Sequence, residues 1–164
     1  MTPTARPRRA PVRFFARFLA LLLAFGLVQL LRPEFQEPLQ VGFARLLTGC
    51  LGVLGWGGVY REDVIVGFPG GGFAIGAECT GVALLALLVA FVFAFPATWR
   101  ERLTGVAIGV GALFVANMVR LVSCAYVMRY RPDWFTFFHE YVWQIGLVGL
   151  TFALIAQWAR RVGD

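Results

Sequence analysis

The chain has 164 residues, of which 59% are hydrophobic, and its mean hydropathy is +0.73. Soluble domains are only about half apolar, so this composition excludes an ordinary soluble domain and makes lipid the expected solvent. The net charge is +6, but all 15 basic residues are arginines in short clusters between apolar runs. A nucleic-acid surface would gather them on one stripe, so no nucleic-acid partner is predicted.

The N-terminal segment has the pattern of a membrane signal. Five arginines lie within residues 6–17, and the almost wholly apolar run Phe18–Leu31 follows. No small-x-small cleavage site comes after this run, only Arg32-Pro33-Glu34. We therefore expect an uncleaved signal anchor that forms the first transmembrane helix.

Two elements after the anchor are predicted to lie at the outer surface. Leu39–Trp56 is moderately apolar but is interrupted by Arg45 and by glycines, which favours an interfacial or re-entrant helix over a full span. The glycines include Gly49, Gly52 and Gly55, and Gly57 and Gly58 follow directly. In Val59–Ile75, β-branched and aromatic residues flank a glycine run, which predicts a short hairpin. This run lacks G-K-[ST], so it does not predict a phosphate-binding loop.

Three further apolar stretches complete the predicted fold, which is an all-α integral membrane protein with about four transmembrane helices, an interfacial helix and an outer-face hairpin. The stretches are Cys79–Pro96, Thr104–Met128 and Tyr141–Trp158. The predicted organisation is a basic cytoplasmic arm (1–17), a single transmembrane catalytic domain (18–158) and a cytoplasmic tail (159–164).

The arginines also predict the orientation. The N-terminal arm holds five of them, and the turn at residues 98–102 and the C-terminal tail hold two each. Four alternating helices would place these three clusters on one side, which the positive-inside rule identifies as the cytoplasm. We therefore expect both termini in the cytoplasm and a location in the cytoplasmic (inner) membrane.

This orientation predicts that three reactive side chains lie at one depth. Cys79 begins the second span at its outer end, and His139 precedes the outer start of the fourth. Arg120 lies sixteen positions after Thr104, about 24 Å along a helix that crosses a core of roughly 30 Å. All three are therefore expected in the outer layer of the membrane.

A thiol, a guanidinium and an imidazole at one depth can form a cysteine acyl-transfer site. Histidine can deprotonate the thiol, and arginine can stabilise the oxyanion of a tetrahedral intermediate. A helix that begins near Cys79 would favour the thiolate, whereas Glu78 would oppose it. Asn117 lies one turn from Arg120 and is expected either to orient its guanidinium or to make a helix-to-helix hydrogen bond. No metal or organic cofactor is expected.

Physical reasoning alone leaves alternatives open. Cys124 lies four residues after Arg120 on the same helical face and competes with Cys79 as nucleophile. A thiol-disulfide oxidoreductase would need a cysteine pair, and Cys50 with Cys79 is the outer pairing that the sequence readily offers. A non-catalytic membrane assembly or scaffold protein is the remaining class.

Three motifs and a preceding glycine-rich segment resemble the exosortase/archaeosortase family over residues 40–158. The motifs are Glu78-Cys79-Thr80-Gly81, Asn117-Met118-Val119-Arg120 and Phe138-His139-Glu140, and the segment is Phe68–Phe73. Their order, spacing and shared depth make the set more specific than any single motif. In length the chain is similar to the compact forms, exosortase H among them.

The resemblance implies a membrane-embedded cysteine transpeptidase or protease. Its partners would be the lipid bilayer and membrane-anchored proteins that carry a C-terminal sorting signal, consisting of a short motif, a transmembrane helix and a basic tail. By the same resemblance Cys79 is the nucleophile, Arg120 the transition-state stabiliser and His139 the acid/base. Glu78, Asn117 and Gly81 are expected as supporting residues.

Overall fold

A computed structural model describes residues 9–163 of the chain, with side chains described from Pro11 onward. The beginning of the predicted basic arm, including Arg6 and Arg8, lies outside these residues. The long helices are α1 (Arg9–Leu31), α2 (Glu37–Val53), α3 (Val82–Ala94), α4 (Trp99–Tyr130) and α6 (Trp143–Gly163), and α5 (Phe135–Phe137) is a single turn.

Within the described residues, three helical segments are long and apolar enough to cross a bilayer, namely Pro11–Leu31, Trp99–Tyr130 and Pro132–Gly163. The predicted all-α membrane fold is thereby confirmed. The second predicted span is shorter than expected, because α3 has only 13 residues. At 1.5 Å per residue it covers about 20 Å, less than the roughly 30 Å core, so it needs its flanking residues to cross.

Aromatic contacts join four helix termini at one end of the bundle. The Phe14 ring of α1 meets Phe91 and Phe95 at the end of α3, and Phe95 meets Trp158 near the end of α6. The Trp158 indole N–H donates to the carbonyl oxygen of Glu101 in the first turn of α4, at 3.1 Å. This arrangement gathers Arg13 and Arg17, Arg100 and Arg102, and Arg160 and Arg161 at the end of the bundle that we call the basic end.

Helix α4 begins at Trp99, five residues before the predicted start at Thr104. A capping box explains the earlier start: the Glu101 amide donates to Thr98 Oγ1, and the Thr98 amide donates to Glu101 Oε2. With 32 residues, α4 is about 48 Å long and exceeds the thickness of the core. Arg120 therefore lies twenty-one rather than sixteen positions from the helix start.

The predicted outer-face hairpin is part of a three-stranded antiparallel sheet in the order β1 (Tyr60–Glu62), β2 (Ile65–Phe68) and β3 (Gly71–Ala74). The prediction missed β1, which pairs Arg61 with Val66. The β2–β3 turn packs against the end of α4: Gly70 has φ +97°, and a Cβ atom at Gly71 would come within 2.9 Å of Met128. Glycine is required where backbone and helix approach so closely.

The predicted interfacial element forms helix α2, which ends at Val53 instead of Trp56. Ala44, Leu47 and Leu51 recur every three or four residues, so they lie on one face, and all three are fully buried. Together with the sheet and the end of α4, this face forms the apolar cluster that contains Cys79. Helix α2 thus supports the cysteine from one side.

Candidate active site

Cys79 ends a single 3-10 turn, Ala77–Cys79, between strand β3 and helix α3. Its side chain is 1% exposed, and its amide donates to the Gly76 carbonyl oxygen at 3.0 Å. Helix α3 begins at Val82, three residues after Cys79, so the cysteine lies in the turn before the helix and not in its first turn. The residue preceding α3 is Gly81, with φ +70°, a conformation that favours glycine and lets the chain turn into the helix.

Two long-range contacts bring the predicted thiol, imidazole and guanidinium together. Cys79 Sγ lies 3.4 Å from His139 Nε2. The same Nε2 lies 3.0 Å from Arg120 Nη2. The fold therefore joins residues separated by 60 and 19 positions in the sequence into one cluster.

Arginine determines the tautomer of His139. A guanidinium has only donors, so Nε2 must accept from Arg120 Nη2, and the proton of the neutral imidazole is on Nδ1. The unprotonated Nε2 is also the atom that faces Cys79 Sγ. Nε2 has one lone pair, so His139 can accept the thiol proton when this lone pair turns from Arg120 Nη2 to Cys79 Sγ.

One face of α4 holds two successive carbonyl groups of the cysteine turn. Arg120 Nη1 donates to the Glu78 carbonyl oxygen at 3.1 Å, and Asn117 Nδ2 donates to the Cys79 carbonyl oxygen at 2.7 Å. Of the two roles expected for Asn117, contact with the guanidinium or a hydrogen bond to another helix, the structure shows neither: its amide donates to the backbone of the turn that holds Cys79. The two residues are one turn apart, so each reaches a different peptide group of the adjacent segment.

The Arg120 guanidinium is buried without a carboxylate partner among the described residues. Its side chain is 2% exposed, and its Nε atom has no hydrogen-bond partner within the described part of the chain. A buried, unneutralised positive charge is costly unless something compensates it. The site therefore holds a positive charge that can interact with a developing oxyanion.

Glu78 points toward the sulfur. Its Oε1 atom lies 3.9 Å from Cys79 Sγ, and the carboxyl group occupies the space that a Cβ atom at Gly76 would need. Gly76 was not identified from the sequence, although a glycine two residues before the acidic residue was a visible signal. The glycine allows Glu78 to approach the thiol.

The environment of Cys79 raises the pKa of its thiol. Burial has the largest effect, and the nearby Glu78 carboxylate acts in the same direction, while Arg120 and the hydrogen bond with Gly76 lower the pKa. Because the net shift is upward, the resting cysteine is a thiol at neutral pH. Nucleophilic attack then requires a base.

Phe135, an aromatic residue that sequence reasoning missed, contacts the imidazole. His139 lies in a π-helical turn, Phe138–Val142, and its ring stacks on Phe135 with centroids 5.5 Å apart. The Phe135 ring in turn contacts Phe73 of β3 at 5.5 Å. Phe135 precedes His139 by four positions, so helical spacing could have identified it.

Comparison with known proteins identifies the family. The family model described as "Transmembrane exosortase (Exosortase_EpsH)" matches residues 5–159. The chain belongs to the exosortase family. No curated protein and no solved structure matches it.

The exosortase match extends beyond the range of 40–158 on which the motifs were found and includes the first helix. All three cysteines of this exosortase, Cys50, Cys79 and Cys124, are free. Cys79 and Cys124 are both buried, but it is the Sγ atom of Cys79 that lies beside His139 Nε2. Among residues 9–163, no cluster of three histidine, cysteine or acidic side chains could hold a metal ion.

Proposed function

We propose that the chain is a membrane-embedded cysteine transpeptidase or protease. Its substrates are membrane-anchored proteins with a C-terminal motif, a transmembrane helix and a basic tail, which it cleaves at the outer face of the cytoplasmic membrane. The observation that carries this proposal is the shared contact of His139 Nε2 with Cys79 Sγ at 3.4 Å and Arg120 Nη2 at 3.0 Å. Membership of the exosortase family supports it.

In the acylation step, His139 Nε2 accepts the proton of the Cys79 thiol as Sγ attacks the scissile carbonyl carbon. The carbonyl electron pair moves to the oxygen, where the Arg120 guanidinium stabilises the negative charge. When the tetrahedral intermediate collapses, the C–N bond breaks and His139 returns the proton to the leaving amine. The products are a Cys79 thioester of the N-terminal fragment and the released helix with its basic tail.

The thioester is resolved by a second nucleophile. An amine or hydroxyl group of the cell envelope gives transfer, and water gives hydrolysis. In either case His139 removes a proton from the nucleophile, and Cys79 leaves as the thiol. Protonated imidazole would face the guanidinium at 3.0 Å, so like-charge repulsion favours rapid return of the proton in both steps.

The proposed orientation follows from the two ends of the bundle. The basic clusters lie together at the basic end, and the Cys79 cluster lies at the opposite end of α4. With the basic end in the cytoplasm, both termini are cytoplasmic and the site faces outward. The proposed domains are the arm (1–17), the catalytic domain (18–158) and the tail (159–164).

The test is the gel mobility of a tailed substrate co-expressed with three forms of the protein: wild type, Cys79→Ser and the double variant Cys50→Ser/Cys124→Ser. We expect tail loss with wild type and with the double variant, and an intact substrate with Cys79→Ser. The double variant is a matched control because it removes the other two cysteines. Equal processing by Cys79→Ser would refute Cys79 as the nucleophile, and a scaffold protein would leave all three mobilities alike.

A further inference from the structure

A cavity of about 300 Å³ lies between α2, α3 and α4, next to the cysteine turn. Thr80, Gly81 and Asn117 line the end nearest Cys79. Gly42 on α2 lies at its wall, and a Cβ atom added there would meet nothing within 4 Å. We call this cavity the Gly42 groove.

The groove leads away from the active site toward the basic end. It follows α4 from Asn117 to Val110, two helical turns closer to the start of that helix. Seven residues correspond to about 10 Å along the axis. A substrate whose scissile bond lies at Cys79 and whose transmembrane helix enters the membrane would extend in the same direction.

The lining is apolar except at the active-site end. The Thr80 hydroxyl is already bonded to the Ala77 carbonyl oxygen at 2.7 Å. Asn117 is 2% exposed, and its Oδ1 atom has no hydrogen-bond partner among the described residues, while its Nδ2 atom is bonded to Cys79. Gly81 has no side chain to cover this oxygen, since a Cβ atom there would lie 3.8 Å from Oδ1. An acceptor without a donor is thus left beside an apolar groove.

The beginning of a helix is the structure that provides the missing donor. The first four N–H groups of a helix have no partner within it. A lipid acyl chain could fill the same space, but it has no donor and would leave Oδ1 unpaired, which is costly for a buried polar atom. The first turn of an apolar helix has both apolar side chains and free main-chain N–H groups, so it fits the groove better than a lipid acyl chain does.

We propose that the Gly42 groove binds the first two turns of the substrate's transmembrane helix, with Asn117 Oδ1 accepting one of its free main-chain N–H groups. This inference rests on the proposed function and specifies which surface of the protein recognises the helical part of the sorting signal. The volume of the groove is at the small end of the range for ligand sites, so the groove can hold the side chains on one face of the helix but not the whole helix.

The test compares Gly42→Phe with Gly49→Phe. Both glycines are on α2 with open space at the Cβ position, but Gly49 lines a different cavity, together with Arg45 and Cys50. We expect Gly42→Phe to lower processing of the tailed substrate at least about tenfold, equivalent to 1.4 kcal/mol, and Gly49→Phe to leave it near wild type. Cys79 alkylation by iodoacetamide should proceed at the same rate in both variants, which shows that the site is intact.

A second measurement does not depend on how the phenylalanine is tolerated. The native cysteines are first removed in a Cys79→Ala/Cys50→Ser/Cys124→Ser variant. Leu39→Cys is then added, and disulfide formation is measured with substrates that carry one cysteine each along the first two turns of the helix. Gly49→Cys is the control position. Disulfides with Leu39→Cys at every third or fourth substrate position support the proposal. No disulfide, a pattern without helical period, or equal crosslinking at Gly49→Cys overturns it.

The two proposals fail in different ways. If Gly42→Phe processes substrate at the wild-type rate while Cys79→Ser does not, the groove assignment is wrong and the proposed function stands. If Cys79→Ser processes substrate, the proposed function itself is wrong, and the groove assignment falls with it.

Discussion

The two ends of the bundle differ in whether their arginines are exposed or buried. At the basic end, Arg100, Arg160 and Arg161 are exposed, and the start of α4 is fixed by a capping box between residues three positions apart. At the active-site end, Arg120 is buried, and its partners are 42 and 19 positions away in the sequence. Topology therefore depends on local pattern, whereas the chemistry depends on contacts between distant segments.

The largest effect is expected from removing the buried charge. Arg120→Ala should lower the turnover of the tailed substrate by about 10²–10³, as loss of an oxyanion donor does in other enzymes. Arg120→Lys keeps the charge but lacks the planar guanidinium that contacts both the Glu78 carbonyl oxygen and His139. Its turnover should therefore lie between that of wild type and that of Arg120→Ala. Turnover of Arg120→Ala within a factor of two of wild type would show that the guanidinium does not act on the reacting carbonyl.

A smaller effect is expected from the charges that act on the thiol. In the Cys50→Ser/Cys124→Ser background, the rate of Cys79 alkylation by iodoacetamide should rise with pH, because the pKa of the thiol is raised by burial. Glu78→Gln removes a contribution that raises this pKa and should increase the rate at pH 7 by about two- to tenfold.

Arg120→Ala provides the opposite control for the same measurement. It removes a contribution that lowers the Cys79 pKa, so the alkylation rate at pH 7 should fall. Changes of the same sign in both variants would show that altered access to the buried sulfur, rather than charge, determines its reactivity.

The smallest effect on activity is expected at the basic end. Thr98→Ala removes the N-cap of α4 and should lower stability by about 1 kcal/mol, measurable as a lower thermal midpoint in detergent. Turnover per folded molecule should be unchanged, because the capping box lies at the opposite end of α4 from Cys79. A turnover loss as large as that of Arg120→Ala would contradict the separation between the two ends.

Sequence reasoning was most successful in predicting which residues lie at the same depth, from the number of residues that separate them from a helix end. A count of 1.5 Å per residue predicted that Cys79, Arg120 and His139 lie at one level, and the structure brings their functional atoms together, although α4 begins five residues before the position from which Arg120 was counted. It was less successful at helix boundaries, where a side-chain cap moved the start of α4 to Trp99 and a 3-10 turn moved the start of α3 to Val82.

The sequence by itself determined the membrane class, the family and the clustering of basic residues, and it predicted Cys79, Arg120 and His139 as one site, because apolar runs, motifs and residue spacing are properties of the chain in order. Only the tertiary structure decided that Asn117 holds the Cys79 carbonyl instead of Arg120, that His139 presents an unprotonated Nε2, and that α2 and α4 border a groove beside Gly81. These features depend on how each helix is rotated about its axis and which neighbour it meets. Side-chain packing between segments determines both, and no periodicity within one segment encodes them.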